Sequence, residues 1–125
     1  MNPVRVLIVD DQELYRTVMG AVVAQTDGFV VVGCAASGEE SVVAAGALGP
    51  DLILMDVNLP GIDGMEATRR LRADTASRTV VLLSTYDEDE WDGQAQECGA
   101  TAYIPKSAFG PDRLAAVWVE SRSAG

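Results

Sequence analysis

Residues 51–61 read Asp51-Leu-Ile-Leu-Met-Asp56-Val-Asn58-Leu-Pro60-Gly61, and they are the clearest indication of the fold class. Its apolar part, residues 52–55, is short and uninterrupted, which predicts a strand buried on both faces. A carboxylate follows at Asp56, and a Pro-Gly turn comes soon after it. Asp56 is therefore expected at the carboxyl end of a buried strand, where a functional site can begin.

Three other apolar runs end in the same way, on polar or charged side chains. Val4–Val9 leads into Asp10 and Asp11, Val80–Leu83 into Ser84 and Thr85, and Ala102–Pro105 into Lys106. In an open parallel sheet the carboxyl ends of the strands meet at one crevice. We therefore expect three acids, a hydroxyl group and an ammonium group along one edge of the sheet.

Size and composition indicate one folded domain over residues 1–125, of which 48% are hydrophobic. The net charge is −10, from 19 acids and 9 bases, which argues against nucleic-acid binding because that affinity depends on basic side chains. The longest apolar stretches fall far short of the roughly 18 residues that a membrane helix needs. No signal-peptide pattern opens the chain. We therefore expect a cytoplasmic protein that binds neither nucleic acid nor membrane.

The counts of histidine, lysine and cysteine limit the kinds of catalytic and metal site that the chain can form. Histidine is absent, which removes Ser-His hydrolysis, His-ligated zinc and any phosphohistidine carried by this chain. Lysine occurs once, at Lys106. Cys34 and Cys98 fit no metal-binding spacing, and we interpret both as small core residues rather than as a disulfide.

Strands and helices alternate along the whole chain, without repeats or linkers. The predicted strands cover residues 4–9, 29–34, 52–55, 79–83 and 101–104. The predicted helices run from residue 12 to 26, from the capping box Ser37/Glu40 to 48, from the cap Asp63/Glu66 to 72, from the acidic run at 87–90 to Gly99, and onward from Pro111. Right-handed crossovers make this pattern a doubly wound parallel α/β sheet.

Hydrophobic spacing predicts which helix faces are buried. In the first helix it favours a face made of Leu14, Val18, Ala21, Val22 and Gln25. In the fourth helix it favours Trp91, Ala95 and Cys98, and in the last helix Leu114, Val117 and Trp118.

The expected edge of the sheet has the composition of a cation site. Asp10, Asp11 and Asp56 bring three negative charges and Lys106 returns one positive charge, which leaves the crevice near −2. Oxygen ligands without histidine or thiolate select a hard ion. Two or three carboxylates, a backbone carbonyl such as that of Asn58, and water suit octahedral Mg²⁺.

A phosphoryl group is the substrate that this set of residues suits. A carboxylate oxygen of Asp56 can attack phosphorus once a metal neutralises the pocket. Phosphoryl transfer needs positioning and charge neutralisation more than acid–base catalysis, and Mg²⁺, Lys106 and the Ser84 hydroxyl can each hold one phosphoryl oxygen. The product is a reactive acyl phosphate, which suits a transient signal.

Together these residues closely resemble the receiver domain of two-component response regulators. The resemblance rests on Asp10-Asp11, the Asp56–Gly61 stretch, Ser84 and Lys106, in order and spacing over nearly the whole chain. It implies a flavodoxin-like fold with helices on both faces of a five-stranded sheet of order 2-1-3-4-5. It also implies that a sensor histidine kinase donates the phosphoryl group, which fits a chain without histidine.

The resemblance implies a role for each site residue. Asp56 is the phosphoacceptor, Asp11 binds Mg²⁺ directly and Asp10 does so mostly through water. Ser84 is the switch hydroxyl, and Tyr103, three residues before Lys106, is the switch aromatic. Such a domain is a phosphoacceptor switch that catalyses only its own phosphorylation and dephosphorylation, not an enzyme acting on separate substrates.

The resemblance also implies how the signal leaves the domain. The phosphoryl group draws Ser84 inward, Tyr103 rotates into the vacated space, and the surface formed by the fourth helix, the fifth strand and the last helix changes. A homodimer formed on phosphorylation is one outcome. We interpret Trp118 as a packing residue, although a partly exposed Trp118 on the last helix would suit the dimer face.

The sequence departs from the family pattern beside the lysine. The family often has Lys-Pro with a cis bond, whereas this chain has Pro105-Lys106-Ser107. A cis bond before serine costs about 2.5–4 kcal/mol, so we expect a trans bond. Pro-Lys-Ser is more like the subfamily whose receivers precede a LuxR-type helix-turn-helix. A DNA-binding output domain of that kind, which would control transcription, is not present in these residues.

Simpler interpretations exist for the individual residues. The acids can be polar residues at loop starts, Lys106 a surface lysine, and Ser84 a cap for backbone groups, with Thr85 beside it as a rival hydroxyl. Tyr103 and the two tryptophans can be ordinary packing residues. Asn58 and Tyr86 flank the site, where they can tune hydrolysis of the acyl phosphate.

Three other functions compete with the switch. A metal-dependent phosphatase needs a second acid two residues after its nucleophile, where this chain has Asn58. A flavin-binding domain needs a phosphate loop rich in Ser, Thr and Gly after the first strand, where Asp10-Asp11-Gln12-Glu13 would repel phosphate. A degenerate receiver that only binds partners would not need the complete acid set.

Overall fold

The computed structural model describes residues 2–75, 77–85 and 97–123. The five strands are β1 (Val4–Val9), β2 (Phe29–Ala35), β3 (Leu52–Asp56), β4 (Thr79–Ser84) and β5 (Ala102–Pro105). The helices in the described residues are α1 (Glu13–Ala24), α2 (Gly38–Leu48), α3 (Gly64–Asp74) and α4 (Pro111–Ser123), with a 3₁₀ turn at Lys106–Ala108. Most of the helix predicted from the acidic run at 87–90 to Gly99, including Trp91 and Ala95, falls outside the described residues, as does Tyr86. Its described end contains Glu97, which is helical, and Cys98, which is buried as predicted.

The sheet has the predicted order, β2-β1-β3-β4-β5, and every neighbouring pair of strands is parallel. All residues of β3 and β4 are buried, as expected for central strands covered on both faces. In the register, Asp56 lies opposite Leu83 and Ser84 lies opposite Pro105. The carboxyl ends of β3, β4 and β5 therefore lie side by side.

Alternation along the strands sends side chains into two separate cores. One core lies under α2 and α3 and contains Leu7, Ile53 and Leu82. The other lies under α1 and α4 and contains Ile8 and Leu54. Because side chains two residues apart share a face, Asp10 and Asp56 continue the row that faces α1 and α4.

The predicted face of α1 is wrong except at Val22, which does pack against the core. Leu14 is 70% exposed and Val18 is 48% exposed, while Met19 and Val23 are buried. Tyr15 and Val22 pack against the same core as Met19. Both apolar sets have helical spacing, and the direction in which the chain leaves β1 turns the set of Tyr15 and Met19 inward. The exposed apolar side chains of α1 begin three residues after Asp11.

The predicted helix caps are confirmed. The Ser37 hydroxyl accepts a hydrogen bond from the Glu40 amide at 3.1 Å, and the Asp63 carboxylate accepts one from the Glu66 amide at 2.8 Å. The Asp63 cap fixes the start of α3, directly after the loop that follows Asp56.

Neither Cys34 nor Cys98 forms a disulfide, as predicted, but only one of them is a core residue. Cys98 is 3% exposed, whereas Cys34 is exposed. Cys34 lies on β2, an edge strand with one neighbour, and alternation points its side chain to solvent. Among the described residues, no helix has the length and apolar character needed to cross a bilayer.

Candidate functional site

The three predicted acids converge at the carboxyl edge of the sheet. One carboxylate oxygen from each of Asp10, Asp11 and Asp56 lies within 4.8 Å of the others. Asp10 is fully buried, Asp56 is 4% exposed, and Asp11 is exposed at the mouth of the pocket. Asp10 and Asp11 follow β1 and Asp56 ends β3, so the pairing of these two strands brings the acids together.

Lys106 enters the same pocket from the end of β5. Its Nζ lies 2.8 Å from Oδ2 of Asp10 and 3.6 Å from Oδ1 of Asp56, and its side chain is only 10% exposed. The sole lysine of the chain is therefore a pocket residue and not a surface residue. One ammonium against three carboxylates leaves a net charge near −2, as expected from the sequence.

Asp10 is held firmly by groups of the protein. Its Oδ1 accepts a hydrogen bond from the Gln12 amide at 2.9 Å, while its Oδ2 accepts one from Lys106. Its backbone carbonyl accepts a hydrogen bond from Nη1 of Arg16 at 2.7 Å. Both side-chain oxygens of this buried acid are thus already engaged.

Asp56 is an acid whose charged form is disfavoured. Its burial, and then the negative charge of Asp10, raise its pKa from 3.8 to about 6, against the opposing effect of Lys106. The Asn58 amide donates a weak hydrogen bond of 3.3 Å to Oδ1. The side chain of Asn58 is exposed, as expected for a residue that follows the strand and turns over the edge. A bound cation would relieve the repulsion that raises this pKa.

The loop after Asp56 is fixed from two sides. The Gly64 amide donates to the carbonyl of Val57 at 2.9 Å, and a β-carbon at position 64 would overlap the carbonyl oxygen of Asp56. On the other side, Oε2 of Glu39 accepts a hydrogen bond of 3.4 Å from the Ile62 amide. Gly61, between these points, has a positive φ of 74°, which glycine adopts without strain.

The two predicted switch residues lie on one face of the sheet. Ser84 is 1% exposed at the end of β4, and Tyr103 is 6% exposed on β5. Tyr103 lies opposite Leu82, and Ser84 follows Leu82 by two residues, so alternation places both on the same side. Thr85, the rival hydroxyl, is exposed.

The described residues contain no cis peptide bond. The bond between Lys106 and Ser107 is therefore trans, as expected. Lys106 opens the 3₁₀ turn, whose backbone is closed by a hydrogen bond of 3.3 Å from the Phe109 amide to the Lys106 carbonyl.

Sequence reasoning missed three residues of the site: Tyr15, Arg16 and Gly64. The Lys106 ammonium lies 3.7 Å from the centre of the Tyr15 ring. Tyr15 and Arg16 lie in the first turns of α1, which begins beside Asp10 and Asp11. Tyr15 belongs to the buried face of α1, and the hydrophobic spacing favoured a different face of that helix. Gly64 is a second glycine after the Pro60-Gly61 turn, at the start of α3. A glycine in that place indicates close packing of the backbone.

The donor set fits Mg²⁺. Its oxygens come from three carboxylates close enough to share one ion, and neither nitrogen nor sulfur is among them. The excess negative charge of the pocket also favours a divalent cation.

The chain is similar to proteins of one known family. The family profile for the response regulator receiver domain matches residues 6–118. The response regulator GacA of Pseudomonas viridiflava is 45% identical over 105 residues, which are 84% of this chain and 49% of that protein. The chain thus spans about half the length of the curated relatives it matches.

Two solved structures are similar over almost the whole chain. The receiver domain of the putative response regulator NarL from Mycobacterium tuberculosis has a TM-score of 0.87 and 28% identity, with 98% of each chain covered. A LuxR-family two-component response regulator from Aurantimonas sp. SI85-9A1 has a TM-score of 0.87 and 26% identity, with 98% of this chain and 87% of that one covered. With the profile match and the GacA relative, these likenesses show that the chain belongs to the receiver domain family of two-component response regulators.

Proposed function

We propose that Asp56 accepts a phosphoryl group from the phosphohistidine of a sensor histidine kinase, in a Mg²⁺-dependent reaction. The observation that carries the proposal is the contact of Lys106 with both Asp10 and Asp56, inside a pocket that brings three carboxylates together. The chain then acts as a phosphorylated switch and not as an enzyme with a separate substrate.

The residues that would hold the ion differ in their roles. Asp11, which is exposed at the mouth of the pocket, would bind the ion directly. A carboxylate oxygen of Asp56 and the carbonyl oxygen of Asn58 would be the other protein ligands. Asp10 already uses both carboxylate oxygens within the protein, which supports a role through water. When bound, Mg²⁺ neutralises the pocket and the phosphoryl oxygens.

The reaction itself needs one nucleophile and a fixed geometry. A carboxylate oxygen of Asp56 forms a bond to phosphorus while the bond from phosphorus to the donor imidazole nitrogen breaks, and the electron pair stays on that nitrogen. The Gly64 contact and the Glu39–Ile62 hydrogen bond hold the Asp56 loop in place, so little reorganisation precedes the attack.

Lys106 and Ser84 stabilise the charge that develops during transfer. The Lys106 ammonium, already 3.6 Å from Oδ1 of Asp56, can bind one phosphoryl oxygen as an ion pair. The Ser84 hydroxyl can donate to a second oxygen from the neighbouring strand.

The switch follows from the shared face of Ser84 and Tyr103. Movement of Ser84 toward a phosphoryl oxygen changes the space next to Leu82, which is the residue opposite Tyr103. Tyr103 then transmits the change to the surface around β5 and α4. Homodimerisation is a possible readout. Trp118 does not supply a free anchor for it, because its ring packs edge-to-face on Phe29 and under the Arg122 guanidinium.

The surface beside the pocket suits a protein phosphodonor. Leu14 and Val18 are exposed apolar side chains on α1, which starts at the acids. A donor that must bring its imidazole to Asp56 covers this part of the surface, and burial of Leu14 and Val18 would favour that encounter.

The longer relatives suggest the output. GacA is a longer response regulator, and the 105 residues that match this chain make up 49% of it. We propose that this receiver likewise works beside an output domain that controls transcription, in the cytoplasm, where a histidine kinase obtains its phosphate from ATP.

The proposal is tested by incubating the protein with a small phosphodonor, such as acetyl phosphate, and Mg²⁺. Intact mass should rise by one phosphoryl group, and chelation of Mg²⁺ should prevent the gain. Asp56→Asn should abolish the gain. Asp63→Asn is the matched control, because Asp63 belongs to the same loop and asparagine keeps the helix cap. Retained labelling in Asp56→Asn would show that the acceptor lies elsewhere.

A further inference from the structure

The ammonium of Lys106 has a third neighbour besides the two acids. It lies 3.7 Å from the centre of the Tyr15 ring, over the face of the ring. Asp10 and Asp56 approach the same nitrogen at 2.8 and 3.6 Å. Lys106 is thus enclosed by two carboxylates and one aromatic face, which leaves its side chain 10% exposed.

The Tyr15 ring is itself held in place. Tyr15 lies in the first turn of α1, is half-buried, and packs against the core that contains Met19 and Val23. Because the core holds the Tyr15 ring in place, the ring can restrict the movement of the Lys106 ammonium that lies against it. The attraction between an aromatic face and a cation also replaces hydration that the nearly buried ammonium has lost.

We propose that Tyr15 is a positioning residue that holds the Lys106 ammonium over Asp56, ready for an incoming phosphoryl oxygen. The inference rests on the proposed phosphoacceptor function of Asp56 and goes beyond it. Without the ring, the lysine side chain keeps its carboxylate partners but gains freedom to swing toward solvent, so fewer molecules present the ammonium at the moment of transfer.

The first test concerns geometry and needs no phosphoryl transfer. Because the chain has one lysine, protein made with ¹³C-labelled lysine gives NMR signals from Lys106 alone. The ring current of Tyr15 should shift the Lys106 ε-methylene protons upfield. Tyr15→Phe should keep the upfield shift, and Tyr15→Leu, which retains an apolar side chain for the core, should lose it. Equal shifts in all three proteins would overturn the inference.

The second test concerns the rate of phosphorylation by acetyl phosphate at saturating Mg²⁺. Tyr15→Leu should slow phosphorylation roughly 3- to 10-fold, from the usual strength of such contacts, while Tyr15→Phe should react nearly as fast as the natural protein. The Mg²⁺ concentration that gives half the maximal rate should stay the same, because the contact through which Tyr15 is inferred to act is with the Lys106 ammonium. A change in that concentration with an unchanged maximal rate would contradict a positioning role.

A double-mutant cycle separates positioning from a general structural effect. Lys106→Ala should itself be phosphorylated slowly, and the additional change Tyr15→Leu should slow phosphorylation of that variant no further. Further slowing of the double variant would show that Tyr15 acts independently of the lysine and would overturn the inference. Loss of labelling in Asp56→Asn tests the proposed function separately, so the two proposals fail on different observations.

Discussion

Gly64 packs directly against the backbone of Asp56, so that no β-carbon fits between the start of α3 and the end of β3. The Gly64 amide also donates to Val57 at 2.9 Å, which closes the loop that carries Asn58, Pro60 and Gly61. The first residue of one helix thereby sets the position of the carboxylate at the end of a strand.

Gly64→Ala should therefore impair both stability and phosphorylation. The added methyl group must push the Asp56 carbonyl or the start of α3 aside, and such overpacking costs about 1–3 kcal/mol. We expect urea unfolding to show that loss and phosphorylation by acetyl phosphate to slow, because any shift of the Asp56 backbone changes the position of its carboxylate relative to Lys106.

Gly46→Ala is the matched control. Gly46 lies inside α2, and a β-carbon there meets nothing within 4 Å. Alanine should raise the free energy of unfolding by about 0.5–1 kcal/mol through its higher helix propensity, without affecting phosphorylation. If Gly64→Ala and Gly46→Ala have the same effect on stability and on phosphorylation, the close contact at Gly64 is not the cause of the effect.

The pKa of Asp56 predicts how stability depends on pH. Burial and the charge of Asp10 raise this pKa from 3.8 to about 6 in the folded chain. The folded state then binds the proton more tightly than the unfolded state, so this contribution is fully present below about pH 4 and is lost as the pH rises through about 6. Asp56→Asn cannot ionise and should escape the loss.

The measurement is urea unfolding of both proteins in EDTA at several pH values. At pH 7.5 Asp56→Asn should be more stable than the natural protein by on the order of 3 kcal/mol, and the difference should shrink toward zero near pH 4. Addition of Mg²⁺ at pH 7.5 should stabilise the natural protein more than the variant. A difference that does not change with pH would contradict the raised pKa.

Lys106→Ala should reveal the charge imbalance of the pocket. Asp10 is fully buried, and loss of its partner at 2.8 Å leaves it beside two other carboxylates. Breaking such a buried pair costs about 3–5 kcal/mol, which we expect in urea unfolding with EDTA and expect Mg²⁺ to recover in part. Metal binding should survive in this variant, while phosphorylation should no longer drive any dimerisation.

Arg70→Ala serves as the comparison for that loss. Arg70 forms an ion pair of 3.0 Å with Glu66, but both side chains are exposed to solvent. Its removal should cost less than about 1 kcal/mol, with or without Mg²⁺. If Lys106→Ala and Arg70→Ala lower the free energy of unfolding equally, the ion pair between Lys106 and Asp10 does not behave as a buried pair.

The two thiols should differ sharply in reactivity. Cys34 is exposed on β2, whereas Cys98 is buried, and that burial raises the pKa of its thiol. A thiol-specific disulfide reagent should modify one cysteine of the native chain quickly and the second only after unfolding. Cys34→Ser should remove the fast reaction and Cys98→Ser should leave it, whereas two fast thiols would contradict the burial of Cys98.

The sheet and most of the pocket were predictable because strand ends obey simple rules. Buried runs that end in Asp10, Asp56 and Lys106 must meet at one edge when the strands are parallel, and alternation then turns these side chains to a common face. The caps at Ser37 and Asp63 were predictable for a similar reason, since they depend only on nearby residues.

The missed features depend on how distant parts of the chain pack. In α1, both Leu14 with Val18 and Tyr15 with Met19 have helical spacing, and only the docking of the helix on β1 decides between them. Cys34 was misplaced because its exposure follows from the edge position of β2. The contact of Tyr15 with Lys106 joins residues far apart in sequence, and it became visible only once the inward face of α1 was known.

The single lysine of this domain has a practical consequence for anyone who tags or immobilises it. Amine-reactive dyes, biotin esters and activated resins find one side-chain target, and acylation of Lys106 replaces an ammonium beside Asp10 with a neutral amide. Molecules acylated at Lys106 should lose the ion pairs with Asp10 and Asp56. Maleimide coupling at Cys34 keeps the label on the edge strand and leaves the lysine untouched.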